Sequence, residues 1–255
     1  MIFDTHCHLN AKELYKNHEN FIISAKNAGV AAFLVVGYDY FSSKLAVELA
    51  DKYDFVYAAV GYHPVDVLKA KKSDLDKTFE LLKHPKVVAL GEIGLDYHWV
   101  EDEEERKLQK QWFIKQIELA NEHNLPIVIH NRDAMADTYQ ILKEHKVNKG
   151  GVMHCYSGSP EMAVELIKLG FYISMGGPVT FKNARVPKEV VAKIPLDHLL
   201  VETDCPYLAP HPLRGTMNEP KNVVYVVKEI AEIKGVSVSE VEEETYKNAK
   251  KIFNI

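Results

Sequence analysis

The sequence has few cysteines and no long apolar run. Its 255 residues contain three cysteines, Cys7, Cys155 and Cys205, which are too few and too scattered for a disulfide framework. Unpaired thiols are typical of a reducing compartment, so we expect a cytoplasmic location. No apolar stretch approaches the roughly 20 residues of a membrane span, and the N-terminus lacks the basic and apolar regions of a secretory signal. These absences predict a soluble protein that does not act on a membrane.

The sequence also lacks an excess of positive charge. Lys and Arg number 31 against 36 Asp and Glu, which gives a net charge of −5, so no global basic field attracts nucleic acid. A phosphate-bearing substrate would therefore require a local source of positive charge, which bound metal ions would provide. Linkers, low-complexity segments and short repeats are absent as well. We therefore expect residues 1–255 to form one domain, with no obligate protein partner.

Short apolar runs alternate with longer amphipathic stretches along the whole chain. Several of the eight runs are rich in Val, Ile and Leu without strict alternation, as is typical of buried parallel strands. Eight strands alternating with helices predict a (β/α)8 TIM barrel, with an open doubly wound sheet as the alternative. The predicted strands span residues 2–4, 31–36, 55–60, 87–91, 127–129, 151–153, 171–174 and 199–202. The predicted helices span residues 42–52, 74–83, 104–123, 133–144, 159–168 and 221–234.

Histidines and carboxylates follow five of the predicted strands. In a TIM barrel the carboxyl ends of the strands meet at one face, where catalytic residues gather. We therefore expect these side chains to form one metal site, and their chemistry suits Zn²⁺, Mn²⁺ or Mg²⁺. In chain order, the candidate ligands are His6, His8, Glu92, His130, His154 and Asp204.

Two of these ligands form a His-x-His motif near the N-terminus. Residues two apart in an extended segment point the same way, so His6 and His8 can bind one ion while Cys7 faces elsewhere. Such a motif is often structural when it stands alone, and the later ligands give it weight. Glu92 lies between glycines that would let the backbone turn tightly at a strand end. A carboxylate there can bridge two ions, and two ions about 3.5–4 Å apart suit displacement at phosphorus.

Several further residues are candidates for catalysis or substrate binding. Asp204 can accept the proton of an attacking water, and Glu202 would point to the same side of an extended strand to support a ligand. The alternative for Glu202 is an inward-facing residue bonded to a neighbour. His63 follows the third strand, where we expect it to contact substrate rather than pack as a structural residue. Basic residues after strands five, seven and eight can clamp phosphates, or else form salt bridges within loops; they are Arg132, Lys182 and Arg214.

Eight segments, taken together and in this order, resemble the TatD family of metal-dependent deoxyribonucleases among the amidohydrolase-like barrels. They are FDTHCHL at 3–9, GYHP at 61–64, GEIGLDY at 91–97, PIVIHNR at 126–132, HCYSG at 154–158, TFKNA at 180–184, ETDCPYLAP at 202–210 and RGTMNEP at 214–220. The resemblance covers nearly the whole chain. Departures from the family pattern are peripheral: Tyr156 replaces a usual Phe, Cys205 a usual Ala, and Thr216 a common Lys near Arg214.

The resemblance implies how the ligands are shared between two ions. His6, His8 and Asp204 would hold one ion, with Glu92 as the bridge to a second ion. The second ion would be held by His130 and His154.

The resemblance also implies the substrate. We expect a deoxyribonuclease that cleaves single-stranded DNA or frayed DNA ends with a metal-bound hydroxide, because a narrow barrel mouth excludes an intact duplex. The same hydroxide would serve a carbonyl equally well, so hydrolysis of a carboxylic ester, an amide or an aminoacyl-tRNA bond is an alternative. A catalytically inactive barrel that acts as a binding scaffold is a third hypothesis.

Overall fold

Eight parallel strands form the centre of the molecule. A computed structural model describes residues 1–255, and its single sheet has the strand order β1 to β8, in chain order throughout. This order confirms the TIM barrel and excludes the open doubly wound sheet, in which the order reverses partway across. The strands are β1 Ile2–Cys7, β2 Val30–Val36, β3 Val56–Val60, β4 Val87–Asp96, β5 Ile127–Arg132, β6 Gly151–Met153, β7 Phe171–Met175 and β8 Leu199–Val201.

Helices connect the strands. They are α1 Lys12–Tyr15, α2 His18–Asn27, α3 Tyr40–Lys52, α4 Lys72–Glu80, α5 Glu103–Glu122, α6 Met135–Glu144, α7 Pro160–Lys168, α8 Arg185–Lys193, α9 Val223–Lys234 and α10 Val238–Phe253. None of them combines the length and the apolar character that crossing a bilayer requires.

The six predicted helices are present, with bounds that differ by a few residues at most. The acidic run contains the start of α5. The side chain of Asp102 caps this helix by accepting hydrogen bonds from the backbone N–H groups of Glu104 and Glu105. Four helices were not among those predicted, namely α1, α2, α8 and α10. Of these, α10 contributes most to the core.

The barrel interior is filled with side chains, as the fold requires. Alternate residues of the strands, Phe3 and Leu34 among them, form an apolar cluster that also includes Ala249, Ile252 and Phe253 of α10. The ring of Phe253 lies 5.9 Å from that of Phe3, so α10 covers the end of the barrel at which the strands begin. The opposite end is left for polar residues.

Loops join the last strand to the first. The backbone N–H of Asp204 donates to the carbonyl of His6 at 2.9 Å, and that of His8 donates to the carbonyl of Cys205 at 2.8 Å. The hydroxyl of Thr5 donates to the carbonyl of Val201 at 2.9 Å. The segments that hold three of the candidate ligands therefore also complete the contact between β1 and β8.

Strand β4 runs through the segment where a tight turn was predicted. It continues to Asp96, so Glu92 lies inside the strand and the predicted turn is wrong. Gly94 instead allows β4 to approach β5, since its φ is +139° and a Cβ atom there would lie 2.0 Å from the carbonyl oxygen of His130. His6 and His130 likewise lie within β1 and β5 rather than beyond them.

The packing of α10 predicts a large stability effect of Phe253→Ala. The ring is 3% exposed, and deleting a buried phenyl group costs about 3–5 kcal/mol. We expect the urea midpoint of unfolding to fall accordingly. Lys250→Ala, on the exposed side of the same helix, should change the free energy of unfolding by less than about 0.5 kcal/mol. Equal midpoints for the two variants would contradict this role of α10.

Candidate metal centre

A buried carboxylate with an imidazole pair on either side forms the middle of the polar end of the barrel. Glu92 is 4% exposed. Its Oε2 atom lies 3.4 Å from Nε2 of His6 and 3.8 Å from Nε2 of His8. Its Oε1 atom lies 2.9 Å from Nδ1 of His130 and 3.3 Å from Nε2 of His154. Each oxygen of one carboxylate therefore faces a different pair of histidines.

Asp204 completes the first of these two groups. Its Oδ1 atom lies 3.4 Å from Nε2 of His8 and 3.8 Å from Nε2 of His6. The two Nε2 atoms are themselves 3.2 Å apart, so their lone pairs converge on one point together with two carboxylate oxygens. Asp204 adopts a left-handed backbone, with φ +55°, which the hydrogen bond to His6 holds in place. The arrangement is the donor set that a divalent cation prefers.

Outer contacts fix the orientation of two of these imidazoles. Nδ1 of His8 lies 2.9 Å from the carbonyl oxygen of Val36, an obligate acceptor. Nδ1 of His154 lies 2.9 Å from Oε1 of Glu202. Both contacts place a ring proton on Nδ1 and turn Nε2 inward, which is the usual arrangement behind a metal-binding histidine.

His130 is oriented the other way round. Its Nε2 atom lies 2.9 Å from Oδ2 of Asp96, so Nδ1 is the atom that faces Glu92. Asp96 was not among the predicted site residues. It was detectable, because Glu92 and Asp96 are four apart in an extended strand and therefore point to the same side.

Glu202 lies behind the histidines and not at the mouth of the site. It is fully buried, and its Oε1 atom also accepts the backbone N–H of Cys155 at 2.8 Å. Its Oε2 atom and Nδ1 of His6 are both buried without a hydrogen-bond partner. The nitrogen and oxygen donors of His6, His154 and Glu202 lie within 4.8 Å of one another. Glu202 is thus adjacent to a histidine from each of the two groups.

The electrostatics of the cluster require positive charge. Although burial opposes ionisation, His154 and His6 hold the pKa of Glu92 well below its ordinary value. Burial also disfavours the imidazolium of His154, but the carboxylates of Glu202 and Glu92 raise the pKa of His154 well above its ordinary value. Protons therefore balance the buried carboxylates, and a bound cation can take over that role.

His63 reaches the same cluster from the loop after β3. Its Nε2 atom lies 3.9 Å from Oε1 of Glu92, and its ring centroid is 4.3 Å from that of His130. Burial and the neighbouring His130 lower the pKa of His63 to about 3, so the ring is neutral. Its Nδ1 atom accepts the backbone N–H of Val65 at 3.3 Å, which places the ring proton on Nε2, toward the site.

The three predicted phosphate-binding residues are exposed on loops or strand ends around the site. Arg132 lies over the ring of Trp99, with its guanidinium carbon 5.6 Å from the centroid. Arg214 lies over the ring of Phe181 at 4.5 Å, next to the exposed Lys182. None of the three contacts a candidate ligand, and none forms the salt bridge that was the alternative expectation.

The fold and this donor set define a metal-dependent hydrolase built on a TIM barrel. The chain belongs to the TatD related DNase family, whose model matches residues 3–254. It is 52% identical to YabD of Bacillus subtilis, an uncharacterized metal-dependent hydrolase, with all of both chains covered. A metal-dependent hydrolase of Methanocaldococcus jannaschii, also uncharacterized, is 39% identical over 98% of this chain and 96% of its own.

A solved structure extends this similarity to the three-dimensional fold. The crystal structure of YjjV, a TatD homologue from Escherichia coli, superposes with a TM-score of 0.94 at 31% identity. The match covers 100% of this chain and 98% of the YjjV chain.

Asp4 is a second residue that was not predicted, and its buried carboxyl should make the stability of the protein depend on pH. Burial raises the pKa of its carboxyl to about 8, against the hydrogen bonds from Thr203, which lower it. The charged form is therefore disfavoured in the folded state, so this group costs stability as pH rises from the ordinary pKa of 3.8 toward 8. Asn does not titrate in this range. Its Oδ1 atom can still accept the backbone N–H of Thr203, now at 2.9 Å, and its Nδ2 atom can donate to the Thr203 hydroxyl, now at 2.6 Å.

We expect the free energy of unfolding of Asp4→Asn to fall less than that of the wild type between about pH 5 and about pH 8, by about 1 kcal/mol or more. Urea unfolding of chelator-treated protein at both pH values measures this difference. The exposed Asp54→Asn is the matched control and should follow the wild type. Parallel pH profiles for Asp4→Asn and the wild type would exclude a buried, proton-retaining carboxyl.

Proposed function

We propose that this metal-dependent hydrolase is a deoxyribonuclease that binds two divalent ions and cleaves phosphodiester bonds at single-stranded or frayed DNA ends. The observation that carries the proposal is the orientation of the Glu92 carboxylate, whose two oxygens face two separate pairs of imidazoles. A carboxylate placed in this way could be shared by two cations, which would stabilise both the attacking and the leaving oxygen of a displacement at phosphorus.

The residues divide naturally between the two ions. His6, His8 and Asp204 would hold one ion together with Glu92, and His130 and His154 would hold the other. The Nε2 atoms of His6 and His8, 3.2 Å apart beside carboxylate oxygens of Glu92 and Asp204, would suit such an ion. When bound, the ions supply Lewis acidity and make water available as a nucleophile near neutral pH.

Asp204 and His63 are suited to opposite proton transfers. Although burial opposes ionisation, His8 and its neighbours hold the pKa of Asp204 below its ordinary value, so its carboxylate can accept the proton of the attacking water. His63 is neutral with its proton on Nε2, so it donates a hydrogen bond to a substrate oxygen. Both side chains are partly exposed, whereas His6 is sealed from solvent.

DNA as the substrate is supported by charge and by the family. The chain as a whole is acidic, so the ions and the exposed Arg132, Lys182 and Arg214 would be the sources of positive charge for a phosphate backbone. The family to which the chain belongs is described as TatD related DNase. The same ions could also serve a carboxylic ester, so the test includes one.

The proposal predicts nucleotide release from single-stranded DNA oligomers with Mg²⁺ or Mn²⁺. We expect chelation to abolish release, added metal to restore it, and Glu92→Ala and Asp204→Ala to lower it to the background without enzyme. Asp204→Asn, which keeps the shape and removes the proton acceptor, should bind metal and remain nearly inactive. Oligomer hydrolysis is measured by gel, with a carboxylic ester assayed in parallel. Hydrolysis of the ester without any hydrolysis of the DNA oligomers would overturn the proposal.

Glu202 should control how tightly the ions are held. Glu202→Ala removes the acceptor for Nδ1 of His154 and for the backbone of Cys155. Loss of an outer carboxylate of this kind lowers metal affinity about 10- to 100-fold.

We expect Glu202→Gln, which keeps one acceptor, to retain more affinity than Glu202→Ala. Competition with a fluorescent chelator measures the affinity, and Glu243→Ala, an exposed carboxylate of α10, is the control. Equal metal affinity in all three variants would show that Glu202 has only a packing role.

A further inference from the structure

The loop between β4 and α5 is fixed at several points. One oxygen of Asp96, Oδ1, accepts the backbone N–H groups of His98 at 3.0 Å and Trp99 at 2.9 Å. Arg106 of α5 donates to the carbonyl oxygens of Val100 at 2.8 Å and Tyr97 at 3.2 Å. The conformation of the loop is therefore set by hydrogen bonds between its backbone and the side chains of Asp96 and Arg106. It does not depend on the indole ring of Trp99.

That indole ring is exposed in spite of the fixed loop. Trp99 is 67% exposed, although an indole is the largest apolar side chain available to a core. The guanidinium of Arg132 lies over the ring, 5.6 Å from its centroid. A flat aromatic surface and an exposed cation thus stand side by side. Asp96 and Arg132 are paired in the β4–β5 register, and Trp99 follows Asp96 in the loop after β4.

Asp96 links this loop to the metal centre. Its Oδ1 atom holds the loop, and its Oδ2 atom lies 2.9 Å from Nε2 of His130. The other nitrogen of His130 faces Glu92 at 2.9 Å. One side chain therefore sets the position of Trp99 relative to the atoms around which the reaction would take place.

We propose that Trp99 is a stacking subsite for a nucleobase of a single DNA strand, next to the phosphodiester at the metal centre, with Arg132 binding a flanking phosphate. This inference rests on the proposed function. Bases of a single strand stack on exposed aromatic rings whatever their identity, while cations follow the backbone. A base within an intact duplex is already stacked on both faces, so the subsite selects single strands and frayed ends.

A fluorescence titration tests the subsite independently of hydrolysis. The chain has two tryptophans, Trp99 and Trp112, so Trp112→Phe leaves Trp99 as the only indole. We expect saturable quenching by a phosphorothioate-linked thymidylate decamer, which resists hydrolysis, and no quenching by an abasic decamer with the same backbone. Equal quenching by both strands, or by neither, overturns the proposal.

Kinetics with the two unmodified strands provide the second test. Trp99→Ala should lower the preference for the thymidylate strand over the abasic strand, measured as the ratio of kcat/KM values, about tenfold. The loss should appear in KM. Ile23→Ala, which removes a side chain of comparable exposure, 58%, from the outer helix α2, should leave the ratio unchanged.

Other outcomes are equally decisive. An unchanged ratio together with a loss of self-association in Trp99→Ala would show that the ring contacts a second copy of the chain, and would overturn the subsite. If the wild type hydrolyses neither strand, the proposed function fails, and the quenching titration alone decides whether Trp99 binds a base.

Discussion

The burial of one negative charge is the constraint on which the polar end of this barrel depends. The Glu92 carboxylate lies almost out of contact with solvent, and an unpaired charge in such a place would cost many kcal/mol. Five histidines approach it within 4 Å. Strand β4 has to run through the site to place Glu92 there, and Gly94 has to lack a side chain so that β4 can approach β5. The course of the backbone therefore places a buried carboxylate that has to be neutralised by positive charge. Divalent ions would supply that charge.

The imidazoles around that charge are held by contacts of different kinds. A backbone carbonyl fixes His8, a carboxylate of the strand β4 fixes His130, and the buried Glu202 fixes His154. His6 lacks such a partner and is instead stacked on His154, with 3.8 Å between ring centroids. Of these four histidines, His6 is thus the one positioned by stacking and not by a hydrogen bond at its outer nitrogen.

Much of the fold and of the candidate site follows from the sequence, for identifiable reasons. Parallel strands have to converge at their carboxyl ends, so His6 and Asp204 could be placed together although they are far apart in the chain. Asp96 could have been found from its spacing to Glu92 in an extended strand. Asp4 could not, because its role depends on contacts with Thr203, which is 199 residues away in the chain. Helix α10 has an apolar face at ordinary helical spacing, with Val241, Ala249 and Ile252 buried, so the helix itself could have been predicted. Its place at the end of the barrel could not, because only the closed barrel shows which surface is left to cover.

The contact between α10 and the first strand has a consequence for how the protein is made. Phe253 packs against Phe3, and the loops after β8 supply the bonds that join the barrel to β1. During synthesis the chain leaves the ribosome from its N-terminus at roughly 5–20 residues per second. The β2 partner of β1 therefore follows soon after it, whereas the partners in α10 and in the loops after β8 emerge last. The interior side chains of the early strands are then exposed to water for most of translation. A long-range closure of this kind favours slow folding, because the entropy of closing the loop is lost before the contacts form.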